Sequence, residues 1–274
     1  MPQEKLTLIK PKSGWQPVDW GELMEYRDLF YFLVKRNIKV LYAQTVLGLS
    51  WAIMQPLIQI VLFTVIFGKV ASVPTDGIPY FLFSTVAIIP WTYMSQSMNE
   101  SSLTLVTNQG MLGKIYFPRI ILPTVPILAK LLDFAISILL LVVAMLYYRV
   151  YPTINIIYVP FFLLYMMLVP LGIGLFLSAL AIRYRDVKYA MTFIVRLLIY
   201  TAPVVYSASS IPEKYRLLYS LNPIVGVIEG FRAAFLGGAM PWMFILPGFI
   251  FAIILLFAGA MYFRRMERVF VDVI

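Results

Sequence analysis

The chain has 274 residues, of which 61% are apolar and 13% charged, about half the charge of a soluble domain, where roughly 25% is usual. It therefore reads as an all-α integral membrane protein. Its net charge of +9 sits beside apolar runs, where topology and anionic headgroups account for it and nucleic acid does not. The absence of cysteine and histidine removes the thiol nucleophile and the commonest general base and metal ligand, so no catalytic and no metal site is expected.

Residues 1–18 are polar and carry prolines, and no apolar core follows their lysines, so they do not form a signal peptide. Asp19 and Glu22 have the spacing of a capping box and predict a helix over 19–43. Leu23, Tyr26, Phe30, Leu33, Asn37 and Leu41 share one face, with Glu25, Asp28, Lys35, Arg36 and Lys39 off it. That pattern fits an amphipathic helix lying in the membrane interface; the alternative is a helix packed on its own protein. The turn Thr45-Val46-Leu47-Gly48 leads into the first span, 48–67, where Trp51, Gln55 and Gln59 recur every four residues on one face.

Further spans are expected at 79–98, 124–148, 154–182, 189–206 and 242–263, six in all. A polar loop, 99–119, follows the second, with a short helix in its middle closed by Asn108-Gln109-Gly110. Gly110 to Lys114 only superficially resembles a phosphate loop, because it lacks the four-residue spacer and the following Ser or Thr. Within 207–241, Pro212 opens one short helix and Asn222-Pro223 a second that runs to Gly237-Gly238. The pair is too short to span and is either re-entrant from the outer side or surface-lying. Fifteen of the 22 Lys and Arg residues fall on the side of the N-terminus and five, including Arg232, on the other, which puts both termini in the cytosol.

Charges inside spans must find partners. Lys130 and Asp133 are three apart on one helix face and can pair. Arg196 has no near carboxylate and must look to another helix such as that of Asp133, to a headgroup, or to water. Trp91 and Tyr93 lie near Ser95, Gln96 and Ser97, and Tyr200 and Tyr206 flank Pro203. Aromatic faces beside amides and hydroxyls suit a sugar, whereas any one of these residues could equally serve belt or helix packing.

The segments RNIKVLYAQTVLGLSWAIMQPL, PYFLFSTVAIIPWTYMSQSMNESSLTLVTNQGMLGKIYFPRIILP, IRYRDVK and LNPIVGVIEGFRAAFLGG occur in this order. Together they resemble the polysaccharide-export permeases of ABC transporters, the membrane subunits for O antigen, capsule and teichoic acid export. The resemblance implies a single transmembrane domain over 1–274 in the cytoplasmic (inner) membrane. It implies a homodimer joined to two copies of a separate cytosolic ATPase, which alone uses ATP and Mg. The implied substrate is a polysaccharide on a lipid pyrophosphate carrier such as undecaprenol.

On this resemblance the 99–119 loop couples to the ATPase through Ser101, Leu105, Asn108, Gly110 and Lys114. Leu47 and Gly48 form the entry turn, and 207–241 lies near the outer exit. The candidate path is Trp51, Gln55, Gln59, Trp91, Tyr93, Arg196, Tyr200 and Tyr206. Two other readings stay open: a permease for drugs or small lipids, and a membrane enzyme acting on lipid-linked sugars, which would need a base or metal ligands that the composition does not offer.

Overall fold

The computed structural model describes residues 20–43, 45–75 and 77–267, and its regular elements are all helical. Asp19 of the expected capping box lies outside them. The helix expected over 19–43 is two: α1 (Trp20–Glu25) and α2 (Arg27–Tyr42), interrupted at Tyr26. Leu33 on its apolar face is 2% exposed and packs with Leu105, Leu112 and Phe117, while Glu25, Asp28, Lys35, Arg36 and Lys39 stay exposed. That apolar face lies on protein, which is the arrangement sequence reasoning had ranked second to the membrane interface.

Gly48 takes φ +51° with nothing near its missing side chain, so the turn before the first span needs glycine for its backbone and not for space. The chain then forms α3 (Trp51–Phe63), which continues as a π-helical stretch, Thr64–Val70. α4 (Tyr80–Thr107) is the centre of the bundle, with α6 (Ile121–Tyr148), α7 (Val159–Arg183) and α10 (Pro223–Leu236) packed around it and α3 and α8 (Val187–Thr201) beside it. α11 (Trp242–Glu267) closes the outer layer against α7 and α10.

α4 runs well past the expected end of its span at residue 98. The polar stretch 99–107 stays helical and accommodates its hydroxyls by bonding them to its own backbone: Ser102 donates to the Met98 carbonyl at 2.6 Å and Thr107 to that of Leu103 at 2.7 Å. The expected loop shrinks to Asn108, the short α5 (Gln109–Leu112) and the coil up to α6. α7 and α11 approach so closely that a Cβ on Gly259 would stand 2.3 Å from the Gly172 carbonyl oxygen, the small-residue packing typical of membrane helices.

Among the described residues four helical stretches, Gly48–Val70, Ile121–Tyr148, Ile154–Arg183 and Trp242–Glu267, are long and apolar enough to cross a membrane. α4 has the length, at 28 residues, but neighbouring helices surround it and it carries buried hydroxyls in place of lipid-facing side chains. α8 has 15 residues, about 22 Å at ~1.5 Å per residue, short of a ~30 Å hydrocarbon core. The fifth span was expected to continue to 206, but the helix stops at Thr201 and the chain runs on as a buried, non-helical segment through Ala202–Ser207.

Sequence placed the two short helices of 207–241 closely. α9 (Glu213–Ser220) is largely exposed, and α10 is buried among α4, α7 and α11 along all but Glu229 and Leu236. The Asn222 side chain caps α10 by accepting from the Ile224 N–H at 3.1 Å, with Pro223 in the first turn.

Candidate functional site

A cavity of about 170 Å³ opens where the end of α2 and the start of α3 meet α4 and α6. Tyr42, Trp51, Gln55, Thr92, Tyr93, Gln96, Lys130, Asp133 and Ser137 line it. Ser137 holds α6 to α3 by donating to the Ala52 carbonyl at 2.9 Å. Across the cavity mouth the Gln96 amide donates to the Gln55 side-chain oxygen at 2.9 Å, tying α4 to α3.

Lys130 is the cavity's charged anchor. Its ammonium lies 2.8 Å from Glu100 and 3.3 Å from Asp133, and the Tyr42 hydroxyl donates to the same Asp133 carboxylate. The expected Lys130–Asp133 pair is therefore present, and the alternative pairing of Asp133 with Arg196 is not. Sequence reasoning missed Glu100, which sits four residues after Gln96 and so faces the same side of α4. One ammonium shared by two carboxyl groups leaves carboxyl oxygens at the cavity that can accept from hydroxyl donors.

The other expected path residues fall in three places. Gln59 is partly exposed on α3, one turn beyond Gln55 and outside the cavity. Trp91 is 4% exposed in the main core, so it packs the bundle and does not reach an open face. Tyr93 is also buried, donating to the Ile127 carbonyl at 3.0 Å, and only touches the cavity wall.

Arg196 and Tyr200 stand on the exposed face of α8 with Tyr189, Phe193 and Leu197, and Arg196 makes no ion pair among the described residues. Tyr206 is tied down: it donates to the Tyr200 carbonyl at 3.3 Å and accepts from the Tyr219 hydroxyl at 3.1 Å. α3 likewise leaves Trp51, Met54, Ile58, Val61, Leu62 and Val65 exposed. Each of the two helices thus packs on its own bundle by one face and leaves the other uncovered.

The turn after α4 exposes Gln109, Gly110, Gly113 and Lys114. Leu112 is buried beneath them, and Arg36 of α2 donates to the Asn108 side-chain oxygen at 2.9 Å. Ser101 and Leu105 are fully buried, and Ser101 donates to the Pro123 carbonyl at 2.7 Å. They therefore present no surface at the turn, in contrast to Gly110 and Lys114. They pack the base of α4 against its neighbours instead, and a Cβ on Gly174 of α7 would meet the Ser101 hydroxyl at 2.0 Å.

The ABC-2 type transporter family matches residues 28–236, from α2 through the end of α10. The chain belongs to that family. ABC-2 permeases are membrane transport subunits and not enzymes, and their ATP is used by a partner ATPase. The chain is 27% identical over 222 residues to the O-antigen export system permease protein RfbA of Myxococcus xanthus, covering 80% of this chain and 85% of that one. A permease of the same name from Klebsiella pneumoniae is 24% identical over 248 residues, covering 90% and 95%. The polysialic acid transport protein KpsM of Escherichia coli is 23% identical over 252 residues, covering 86% and 92%. The match thus takes in the cavity, the turn after α4 and the α9–α10 pair alike.

Proposed function

We propose that this ABC-2 permease exports a lipid-linked polysaccharide, with an undecaprenyl-type carrier, outward across the cytoplasmic membrane, using ATP hydrolysed by a separate subunit. The observation that carries the reading is the near full-length likeness to permeases named for O antigen and polysialic acid, two different glycans. A polar, aromatic cavity at the start of α3 supports it, because hydroxyls need hydrogen bonds and sugar CH faces stack on rings.

In this reading six helices cross the membrane: α3, α4, α6, α7, α8 and α11. Both termini lie in the cytosol, and α9 and α10 enter from the outer side. Two copies pair through the uncovered faces of α3 and α8, with the path between them. Trp51, Gln55, Gln59, Arg196 and Tyr200 then face the glycan, and Leu47 and Gly48 form the entry turn. Two ATPase subunits dock on the turns around Asn108, Gly110 and Lys114.

The coupling is mechanical. α4 is one continuous helix of 28 residues, about 42 Å at ~1.5 Å per residue, so a push on its inner end reaches its outer end. Ser101, packed on α6 and α7, passes the displacement to both. The test is export in cells that lack the natural copy: Gln55→Leu with Gln59→Leu lowers surface glycan while the permease remains in the membrane. Unchanged surface glycan removes that face from the path.

A further inference from the structure

α10 is apolar except for one acid and one base, Glu229 and Arg232, three residues apart. In the fold both turn toward the non-helical stretch that follows α8. Arg232 is 6% exposed, and its guanidinium lies 3.7 Å from the centre of the Phe83 ring of α4. Its Nη1 donates to Glu229 at 2.8 Å and to the Tyr206 carbonyl at 3.2 Å, and its Nη2 donates to the Val204 carbonyl at 3.2 Å. The Glu229 carboxylate also accepts from the Ala208 N–H at 3.1 Å. From α4, the Tyr80 hydroxyl donates to the Val205 carbonyl at 2.8 Å.

Three side chains therefore take up the carbonyls of Val204, Val205 and Tyr206 and the amide of Ala208. Backbone that leaves a helix inside a membrane has no water to bond, and it holds its shape only if protein supplies the partners. Arg232 is suited to this because its planar fork serves two carbonyls and a carboxylate at once, whereas a lysine is a point charge. The stretch is the outer continuation of α8, whose other neighbours are α4 and α7 and whose opposite face is uncovered. The position of 202–208 thus fixes the outer end of α8.

We propose that Glu229 and Arg232 form a latch: they are positioning residues that hold the 202–208 segment, and with it the outer end of α8, in the arrangement described here. Transport through the path requires this end to move, so the latch bears on gating. That role rests on the permease reading, whereas the latch itself does not.

The chain has no cysteine, so a single introduced one reports without background. Val205→Cys is nearly isosteric at a position 7% exposed, and Ala179→Cys, fully buried in α7, serves as the folding control. The full chain is placed in lipid nanodiscs without ATP and treated with a water-soluble maleimide. Adding Arg232→Ala is expected to speed labelling at Val205→Cys by ~10-fold or more, the factor set by losing at least one charge-assisted hydrogen bond. The control rate stays unchanged. Arg232→Lys, which keeps the charge but not the fork, gives an intermediate rate.

If Arg232→Ala fails to fold, Glu229→Gln takes its place: it keeps the acceptor for Ala208, loses the ion pair, and is expected to speed labelling by roughly 3-fold. Equal labelling with and without the substitution overturns the latch, and so does a rise of the same size at Ala179→Cys. Because labelling is read without transport, loss of the export reading would leave this result standing, and the reverse holds too.

Discussion

On the proposed topology α4 has an outer end near Tyr80 and an inner end toward Thr107; each carries a buried ion cluster, and the two are built differently. At the outer end, Arg232 meets a single acid, Glu229, and its Nη1 and Nη2 also donate to the Tyr206 and Val204 carbonyls. At the inner end, Lys130 meets two acids, Glu100 and Asp133, beside an open cavity whose other walls combine amides, hydroxyls and rings with the aliphatic Leu41, Ala52, Pro56 and Ile89. The outer cluster is neutral and closed, so its charges are spent on holding chain in place. The inner cluster has one base for two acids and borders free space, so its polar groups are open to an entering ligand. Charge inside this bundle thus serves as framework at one end and as surface chemistry at the other.

The sharpest way to break the contrast is at Lys130. Lys130→Leu leaves two carboxylates facing each other without a cation, and removing one partner of a buried cluster typically costs ~3–5 kcal/mol. Thermal unfolding of the purified permease should show a correspondingly large drop, mostly restored by Lys130→Arg. A drop no larger than that of a surface substitution would mean that water already screens the cluster.

Next in size is the packing between the two ends. Gly174→Val puts a side chain where the Ser101 hydroxyl now sits, and overpacking of this kind costs ~1–3 kcal/mol. It should lower the unfolding temperature and weaken export together, because the same contact holds α4 to α7.

Gln96→Leu removes the α4–α3 amide pair at an open cavity, where the lost bond is worth about 1 kcal/mol. Stability should barely change while glycan export falls, the outcome expected of a group that faces substrate. An equal fall in both would mark the pair as framework, like the outer cluster.

Lys114→Glu is exposed and should shift stability within ~0.5 kcal/mol. Its effect should appear in coupling: ATP hydrolysis by the assembled transporter continues while export drops. Unimpaired export would move the docking surface away from this turn.

Much of the fold was legible because membrane helices must be apolar where lipid touches them. The stretches near 48–67, 124–148, 154–182 and 242–263 obey that rule and were placed within a few residues. α10 was legible for a different reason, since Asn222-Pro223 and Gly237-Gly238 mark both of its ends. α4 was read too short, because residues 99–107 look like a loop until their hydroxyls are seen bonded to their own helix.

The site was only half visible. The Trp51 and Gln55 face follows from spacing alone, and the cavity includes both. The burial of Trp91, Ser101 and Leu105 was not legible because sequence does not say which side of a fully surrounded helix meets solvent; in α4 those positions meet other helices. Arg232 had been counted as an outer loop charge, yet a lone acid and base three apart on an otherwise apolar helix was a readable sign of a buried pair.

The central claim is that this chain moves a polysaccharide only when an ATPase drives it. The direct measurement reconstitutes the permease in proteoliposomes with its partner ATPase and follows transfer of lipid-linked glycan across the bilayer. The account requires ATP-dependent transfer with both subunits, none with either alone, and no ATP hydrolysis by the permease by itself. Hydrolysis by the purified permease, or full transfer without the ATPase, would contradict it.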